Sequence, residues 1–121
     1  MIYPGGRDED NIRDMLYAAR TIVEFTAGME YDQYLADRKL QLALERLIDI
    51  IGQDATNVSE LFRYYNPEIP WQCLMSQIHI LVAEKSDEKL ERMWTFVTGH
   101  IPELVISIES MLGPADAPSE E

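Results

Sequence analysis

Few side chains of this 121-residue chain have both the type and the surroundings that catalysis requires. His79 and His100 are its only histidines, and imidazole is the side chain whose ordinary pKa suits proton transfer near neutral pH. His79 lies in the segment WQCLMSQIHILVA, which begins at Trp71 and contains no Arg, Lys, Asp or Glu. No charge in that segment could hold a phosphate, so we expect His79 to be a surface or interface residue and keep it as the one catalytic candidate. His100 precedes Ile101 and Pro102 in a predicted bend, where we expect a structural role.

Other kinds of chemical site are not predicted. The single cysteine, Cys73, cannot form an internal disulfide, and its place in an apolar helix predicts a small buried hydrophobe. The chain has no glycine-rich phosphate loop, no His/Cys metal spacing and no nucleophile elbow, so we expect no cofactor and no metal. The acidic runs at residues 8–11 and 86–89 are interpreted as charges that favour helix starts.

The charge balance bears on possible partners. The formal net charge is -12, from 22 acidic and 10 basic residues, and only Arg38 and Lys39 are adjacent cations. Because nucleic-acid affinity comes largely from Lys and Arg at phosphates, this balance argues against a free-standing RNA binder without excluding RNA. It suits a basic protein partner, or simply solubility. The lone cysteine and the lack of a signal-peptide pattern or a 20-residue apolar run favour a cytoplasmic protein without a membrane span.

The apolar residues recur with helical spacing, and no stretch shows the alternation of a strand. The predicted helices cover residues 8–27, a short stretch at 31–36, residues 37–65, residues 70–83 with Pro70 as the first helical residue, and a last helix to residue 112 that Ser86 and Asp87 cap. Pro102 should kink or divide the last helix. The sequence therefore predicts an all-α fold, an antiparallel bundle of four to five helices over residues 7–112, between a flexible N-terminus (1–6) and a disordered acidic tail (113–121).

The helix that begins near Pro70 has two apolar faces. Its main stripe is unbroken by charge and consists of Trp71, Leu74, Met75, Ile78, Leu81 and Val82. A smaller strip on the opposite side contains Cys73, Gln77, Ile80 and Glu84. This strip is either a protein–protein surface or a second face buried inside the bundle, and both interpretations stay open.

Five segments carry a family resemblance in order and in spacing. They are RDEDNIRDML from Arg7, EFTAGMEYDQYLADR from Glu24, LERLIDIIGQDATNVSELFR from Leu44, NPEIPW from Asn66 and LERMWTFVTGHIPEL from Leu90. Together they resemble the HepT-like proteins of the HEPN superfamily, small helical ribonuclease toxins encoded beside minimal nucleotidyltransferases. The resemblance implies a HEPN-like bundle, and we expect a two-fold homodimer with the third long helix near its axis.

The resemblance also locates a motif that this chain lacks. Family members carry an Arg, then Asn, three residues, His, one residue and Tyr. Aligned on Pro70–Trp71 and Trp94, these positions hold Ile78, His79, Ala83 and Lys85. In relatives the Arg and His are implied to cleave RNA without metal at a cleft between protomers, and the Tyr to be the residue that the nucleotidyltransferase modifies with AMP. Ile78 and Ala83 cannot supply this chemistry, and Lys85 has no phenolic oxygen.

Three functions follow as expectations. The first is a HepT-like protein of toxin–antitoxin type that has lost ribonuclease activity and acts as a dimeric interaction module, with a minimal nucleotidyltransferase as a candidate partner. The second is an active, metal-independent HepT-like ribonuclease toxin that uses His79 and a basic residue from the partner protomer. The third is a nucleotide-binding regulatory bundle.

Overall fold

A computed structural model describes residues 6–113 of the chain. These residues form helices and connecting turns, and no strand occurs among them. The elements are α1 (Asp8–Thr26), α2 (Tyr31–Leu35), α3 (Arg38–Asn57), α4 (Glu60–Tyr65), α5 (Trp71–Ala83), α6 (Lys89–Thr95), a π-helical turn (Phe96–His100) and α7 (Ile101–Leu112). The predicted all-α bundle is confirmed. The predicted flexible ends lie outside the described residues, apart from Gly6 and Gly113.

Side-chain contacts define the packing of the long helices. Asp8 at the start of α1 reaches Ser59 beyond the end of α3, so these two helices run antiparallel. Between α1 and α7, the Arg20 guanidinium donates to the Glu109 carboxylate at 2.9 and 3.2 Å. The largest fully buried side chains come from most of the elements and include Ile12, Met15, Ile22, Tyr34, Leu44, Ile48, Ile51, Phe62, Met93, Ile101 and Ile108. None of the helices in residues 6–113 has the length and hydropathy of a membrane span.

The prediction of one helix over residues 37–65 is wrong, because the chain leaves the helix at Val58. Ser59 then caps a new helix by accepting the Phe62 N–H at 3.1 Å. The Asp8 carboxylate accepts both the Ser59 N–H (2.8 Å) and the Ser59 hydroxyl (2.7 Å). Val58 and Phe62 are both buried, so the apolar spacing continues across a break that a distant carboxylate stabilises.

Two predicted helix starts are displaced. Pro70 is the residue before α5 rather than its first residue, and the helix begins at Trp71, whose indole N–H donates to the Asn66 carbonyl at 3.0 Å. Ser86 and Asp87 do not cap α6, which begins at Lys89 after Glu88 and has no side-chain cap. The Ser86 hydroxyl instead donates to the Glu84 carboxylate. It therefore does not cap the backbone N–H groups at the start of α6.

The division expected at Pro102 takes the form of the π-helical turn. The Ile101 N–H bonds to the Phe96 carbonyl, five residues earlier, rather than to the carbonyl four residues earlier. Proline has no N–H, and its ring crowds the carbonyl four residues before it. The wider turn just before Pro102 relieves both problems, and the helical course continues into α7.

Candidate functional site

The apolar stripe predicted on α5 is confirmed. Its members pack toward the bundle, where Trp71, Leu74, Ile78 and Leu81 are buried and Met75 and Val82 are partly buried. Ile78, which the resemblance aligns with the family's Arg, is only 3% exposed. The first motif position is therefore part of the hydrophobic core.

Gly52 of α3 makes the space that Ile78 occupies. A β-carbon built on Gly52 would come within 2.7 Å of Ile78 Cγ2, which is closer than real β-carbons approach another atom. The two helices thus pack closely only because residue 52 has no side chain. The Ile78 side chain fills this contact, and a guanidinium held in the same apolar contact would lose its water.

His79 lies beside this contact at an open groove between α3 and α5, which we name the α3–α5 groove. The groove has a volume of about 390 Å³, and its polar lining consists of Asp49, Gln53, Thr56, Asn57 and His79. His79 is exposed, as are Gln72, Ser76 and Ala83 on the same side of α5. His79 is therefore exposed within this chain, which fits the prediction of a surface or interface residue.

The electrostatics of the α3–α5 groove are unfavourable for a phosphate. No Lys or Arg is among the described residues that line it. Its carboxylate, Asp49, accepts hydrogen bonds from Gln53 at 3.0 Å and from Arg46 at 3.5 Å. The Arg46 guanidinium is thus paired with an acid of the groove, and the Arg63 guanidinium donates to the Thr56 carbonyl at 3.1 Å, so both are already engaged.

The four motif positions do not form one site. Ile78 is buried but lines the α3–α5 groove together with the exposed His79, while Ala83 and Lys85 are exposed where α5 ends. Neither Ala83 nor Lys85 is among the residues that line this groove. The arrangement therefore offers one imidazole and no second catalytic group from the motif.

The smaller strip on α5 is not a second buried face within this chain. Ile80 is 54% exposed and Gln77 is partly buried. Cys73 is exposed, so its predicted burial is wrong: the helices that cover α5 pack against the main stripe and leave Cys73 on the other side. The Glu84 side chain is only 9% exposed and pairs with Arg92 at 3.4 Å.

Ile80 and Gln77 lie in a second groove, the α5–α6 groove, between α5, α6 and the π-helical turn. It has a volume of about 510 Å³, and Arg92 and His100 are both part of its lining. This places a guanidinium and an imidazole in one open groove. They are eight residues apart along the helix, about 12 Å at 1.5 Å per residue, and Arg92 is held by Glu84. In the structure, the guanidinium of this groove is therefore engaged by a carboxylate.

A carboxyl pair between α1 and α3 was not expected from the sequence. Asp54 is buried, its side chain is hydrogen-bonded to Asp14, and its Oδ2 atom has no partner among the described residues. Burial, the hydrogen bond with Asp14 and the charge of Asp14 together raise the pKa of Asp54 to about 7. A signal was available, because residue 54 follows Leu47 and Ile51 at helical spacing and thus lies on the apolar face of α3.

Within residues 6–113, no three His, Cys, Asp or Glu side chains are grouped to hold a metal ion.

Comparison with known proteins assigns the chain to a family. The sequence profile of one family, described as ribonuclease HepT-like, matches residues 15–111, which is most of the chain. The chain belongs to the HepT-like ribonuclease family. No solved structure gives a significant match.

Individual relatives of this HepT-like protein are similar over nearly their whole length. A putative RNase of Methanocaldococcus jannaschii is 27% identical over 107 residues, covering 88% of each chain. A probable ribonuclease HepT of Thermococcus cleftensis is 29% identical over 103 residues, covering 85% of this chain and 94% of its own. A second putative RNase of M. jannaschii is 24% identical over 96 residues, covering 79% and 88%.

Proposed function

We propose that this HepT-like protein no longer cleaves RNA and acts as a protein-interaction module of a toxin–antitoxin type system. The observation that carries the proposal is the burial of Ile78 against Gly52, at the position where the family resemblance places the catalytic Arg. An Arg stabilises charge that develops on a phosphate, and an isoleucine side chain in the core cannot.

The remaining groups support the same proposal. Ala83 stands where relatives have the catalytic His and has no titratable group. His79 could move a proton, but the α3–α5 groove gives it a carboxylate neighbour rather than a cation. The net charge of -12 repels RNA at long range, so neither binding nor chemistry is favoured.

The partners belong to the proposal as well. We expect a two-fold homodimer with α5 near the axis, and a minimal nucleotidyltransferase as the binding partner. The exposed side chains on α5, Cys73 and Ile80, offer contact area for one of these interfaces. Because Lys85 replaces the Tyr, AMP transfer to this position would have no phenolic acceptor. Binding without modification is the expected relation to a nucleotidyltransferase.

The second candidate is an active ribonuclease with relocated catalytic groups. One observation favours it: His79 is exposed at an open groove, and Arg46 donates a hydrogen bond to Asp49, which lines the same groove. A basic residue from the partner protomer would have to complete this site.

The third candidate, a nucleotide-binding regulatory bundle, would be supported by an increase in melting temperature with adenine or guanine nucleotides; an unchanged melting temperature speaks against it.

The decisive experiment is an RNA cleavage assay on the purified protein and its His79→Ala variant. A HepT-like relative that retains the Arg and His of the motif serves as the positive control. We expect cleavage by the control and none by this protein. Cleavage that disappears with His79→Ala would establish the second candidate, whereas equal cleavage by both forms identifies a contaminant.

The interaction role is tested separately by co-expression with a minimal nucleotidyltransferase from the same genome. We expect the two proteins to co-purify, and light scattering of the protein alone to give the mass of a dimer. A monomer at micromolar concentration would contradict the homodimer. If the nucleotidyltransferase does not co-purify, the proposal that it is the binding partner is wrong.

A further inference from the structure

The α5–α6 groove has an apolar centre that the chain leaves open to water. Its floor is formed by Leu81 and Phe96, which are buried at 6% and 3% exposure. Ile80 forms one wall and exposes 54% of its surface. An apolar side chain placed between Ile80 and Phe96 would remove this surface from water, which is the usual role of an anchor residue in a protein–protein interface.

The rim of the groove near the start of α6 is acidic. Glu88 and Glu91 line it and are exposed, and neither carboxylate has an ion-pair partner among the described residues. Arg92, the Lys or Arg side chain among the described residues of the lining, is already paired with Glu84. The unpaired charge at this end of the groove is therefore negative and would attract Lys or Arg side chains.

The length of the groove fits a helical segment. Between Glu88 and His100, the first and last lining residues after α5, the chain advances twelve residues on a nearly continuous helical course, about 18 Å at 1.5 Å per residue. A helix of about three turns covers this distance. A helix that lies in such a groove presents apolar residues at every third or fourth position toward the floor.

The charge of the chain argues against two other occupants. RNA would place phosphates beside Glu88 and Glu91. A second copy of this chain carries a net charge of -12, and several of its cations are already in ion pairs, among them Arg13 with Glu9 and Lys89 with Glu45. A partner with its own excess of basic residues fits better than either.

We propose that the α5–α6 groove binds an amphipathic helical segment of a partner protein, with an apolar anchor between Ile80 and Phe96 and Lys or Arg side chains beside Glu88 and Glu91. This inference rests on the proposed function as an interaction module and adds the binding surface and the chemistry of the partner.

The experiment measures binding of a fluorescein-labelled synthetic peptide by fluorescence anisotropy. The peptide has about 14 residues, with Leu at helical spacing and Arg on the flanks of the apolar face. A second peptide of the same composition in scrambled order is the control for non-specific attraction of cations to an acidic protein. We expect the amphipathic peptide to bind more tightly than the scrambled one, and its affinity to fall as salt is raised.

Matched variants locate the binding site. Ile80→Asp should weaken peptide binding about tenfold or more, because it places a charge where the anchor packs. Ile106→Asp, at a residue that is 67% exposed on α7 outside the groove, should leave binding unchanged. Glu88→Lys with Glu91→Lys should weaken binding more than Glu24→Lys with Asp32→Lys, which change the net charge equally at exposed residues elsewhere. Circular dichroism confirms that every variant is folded.

The outcomes separate this inference from the proposed function. Equal binding by the Ile80→Asp and Ile106→Asp variants, equal binding of the scrambled peptide, or no peptide binding overturns the groove assignment. A nucleotidyltransferase that co-purifies equally with wild type and Ile80→Asp leaves the interaction role intact and also overturns the groove. If Ile80→Asp instead converts a dimer into a monomer, the occupant is a second copy, and the inference is wrong.

Discussion

Ile78 packs its Cγ2 methyl group against the backbone of Gly52, so that α3 and α5 meet where one of them has no side chain. A glycine inside a helix normally costs about 1 kcal/mol relative to alanine. Here the cost is offset by the close approach of two helices and by the burial of Ile78. Ile78, which we align with the family's Arg, is thus fixed in the core by a glycine 26 positions earlier.

This contact predicts that Gly52→Ala destabilises the fold although alanine favours helices. The added methyl group would overlap Ile78, and overpacking of this kind costs about 1–3 kcal/mol. The free energy of unfolding is measured by urea denaturation. Gly99→Ala is the matched control, because a β-carbon there meets nothing within 4 Å, and it should be neutral or slightly stabilising. In an Ile78→Ala background, Gly52→Ala should lower the free energy of unfolding much less. An equal loss of stability in both backgrounds would show that overlap with Ile78 is not the cause.

Restoring the family's cation should be costly. Ile78→Arg would bury a guanidinium at a position that is 3% exposed, and we expect a loss of about 3 kcal/mol of stability. Ile80→Arg is the matched control on the same helix, and at 54% exposure it should change stability by less than about 0.5 kcal/mol. Equal, small effects of the two variants would mean that the guanidinium extends into the α3–α5 groove, which Ile78 lines, and this would strengthen the case for an active ribonuclease.

Asp8 and Ser59 should be energetically coupled. Asp8→Ala removes the acceptor for two hydrogen bonds of Ser59, and Ser59→Ala removes the N-terminal cap of α4, so each should cost about 1–2 kcal/mol. The double variant should cost less than the sum, because both changes break the same contact. Asp10→Ala, at an exposed acid in the same first turn of α1, should cost only a few tenths of a kcal/mol. Additive effects of Asp8→Ala and Ser59→Ala would contradict the coupling.

The raised pKa of Asp54 predicts a specific pH dependence of stability. The folded state favours the protonated carboxyl, so the contribution is fully present below the ordinary pKa of 3.8 and is lost as pH rises through about 7. Asp54→Asn keeps a neutral side chain at all pH values. Its melting temperature should therefore exceed that of the wild type most clearly at pH 8, and the difference should shrink toward pH 4. Glu24→Gln, an exposed carboxylate on α1, should follow the wild type. A difference that does not vary between pH 4 and 8 would show that Asp54 does not titrate in this range.

The sequence alone determined the features that depend on residues close together in the chain. The apolar spacing predicted α1, the short α2 and the buried stripe of α5, and Pro102 predicted the division that appears as the π-helical turn. The five resembling segments indicated the family that the profile match shows. Each of these signals lies within a few helical turns or in the order of segments, so no knowledge of the packing was needed.

Only the tertiary structure decided the features that depend on contacts between distant residues. The break between α3 and α4 is stabilised by the Asp8 carboxylate, 51 positions before Ser59. The apolar spacing of the sequence continues across this break and gives no indication of it. The role of Gly52 appears only when α5 is placed against α3, and the exposure of Cys73 follows from which side of α5 the other helices cover. Asp14 and Asp54 meet because α1 and α3 pack antiparallel. Helical periodicity shows which face of a helix is apolar. Which faces contact each other depends on the packing of the whole bundle. This packing buries Ile78 and leaves Ile80 in an open groove.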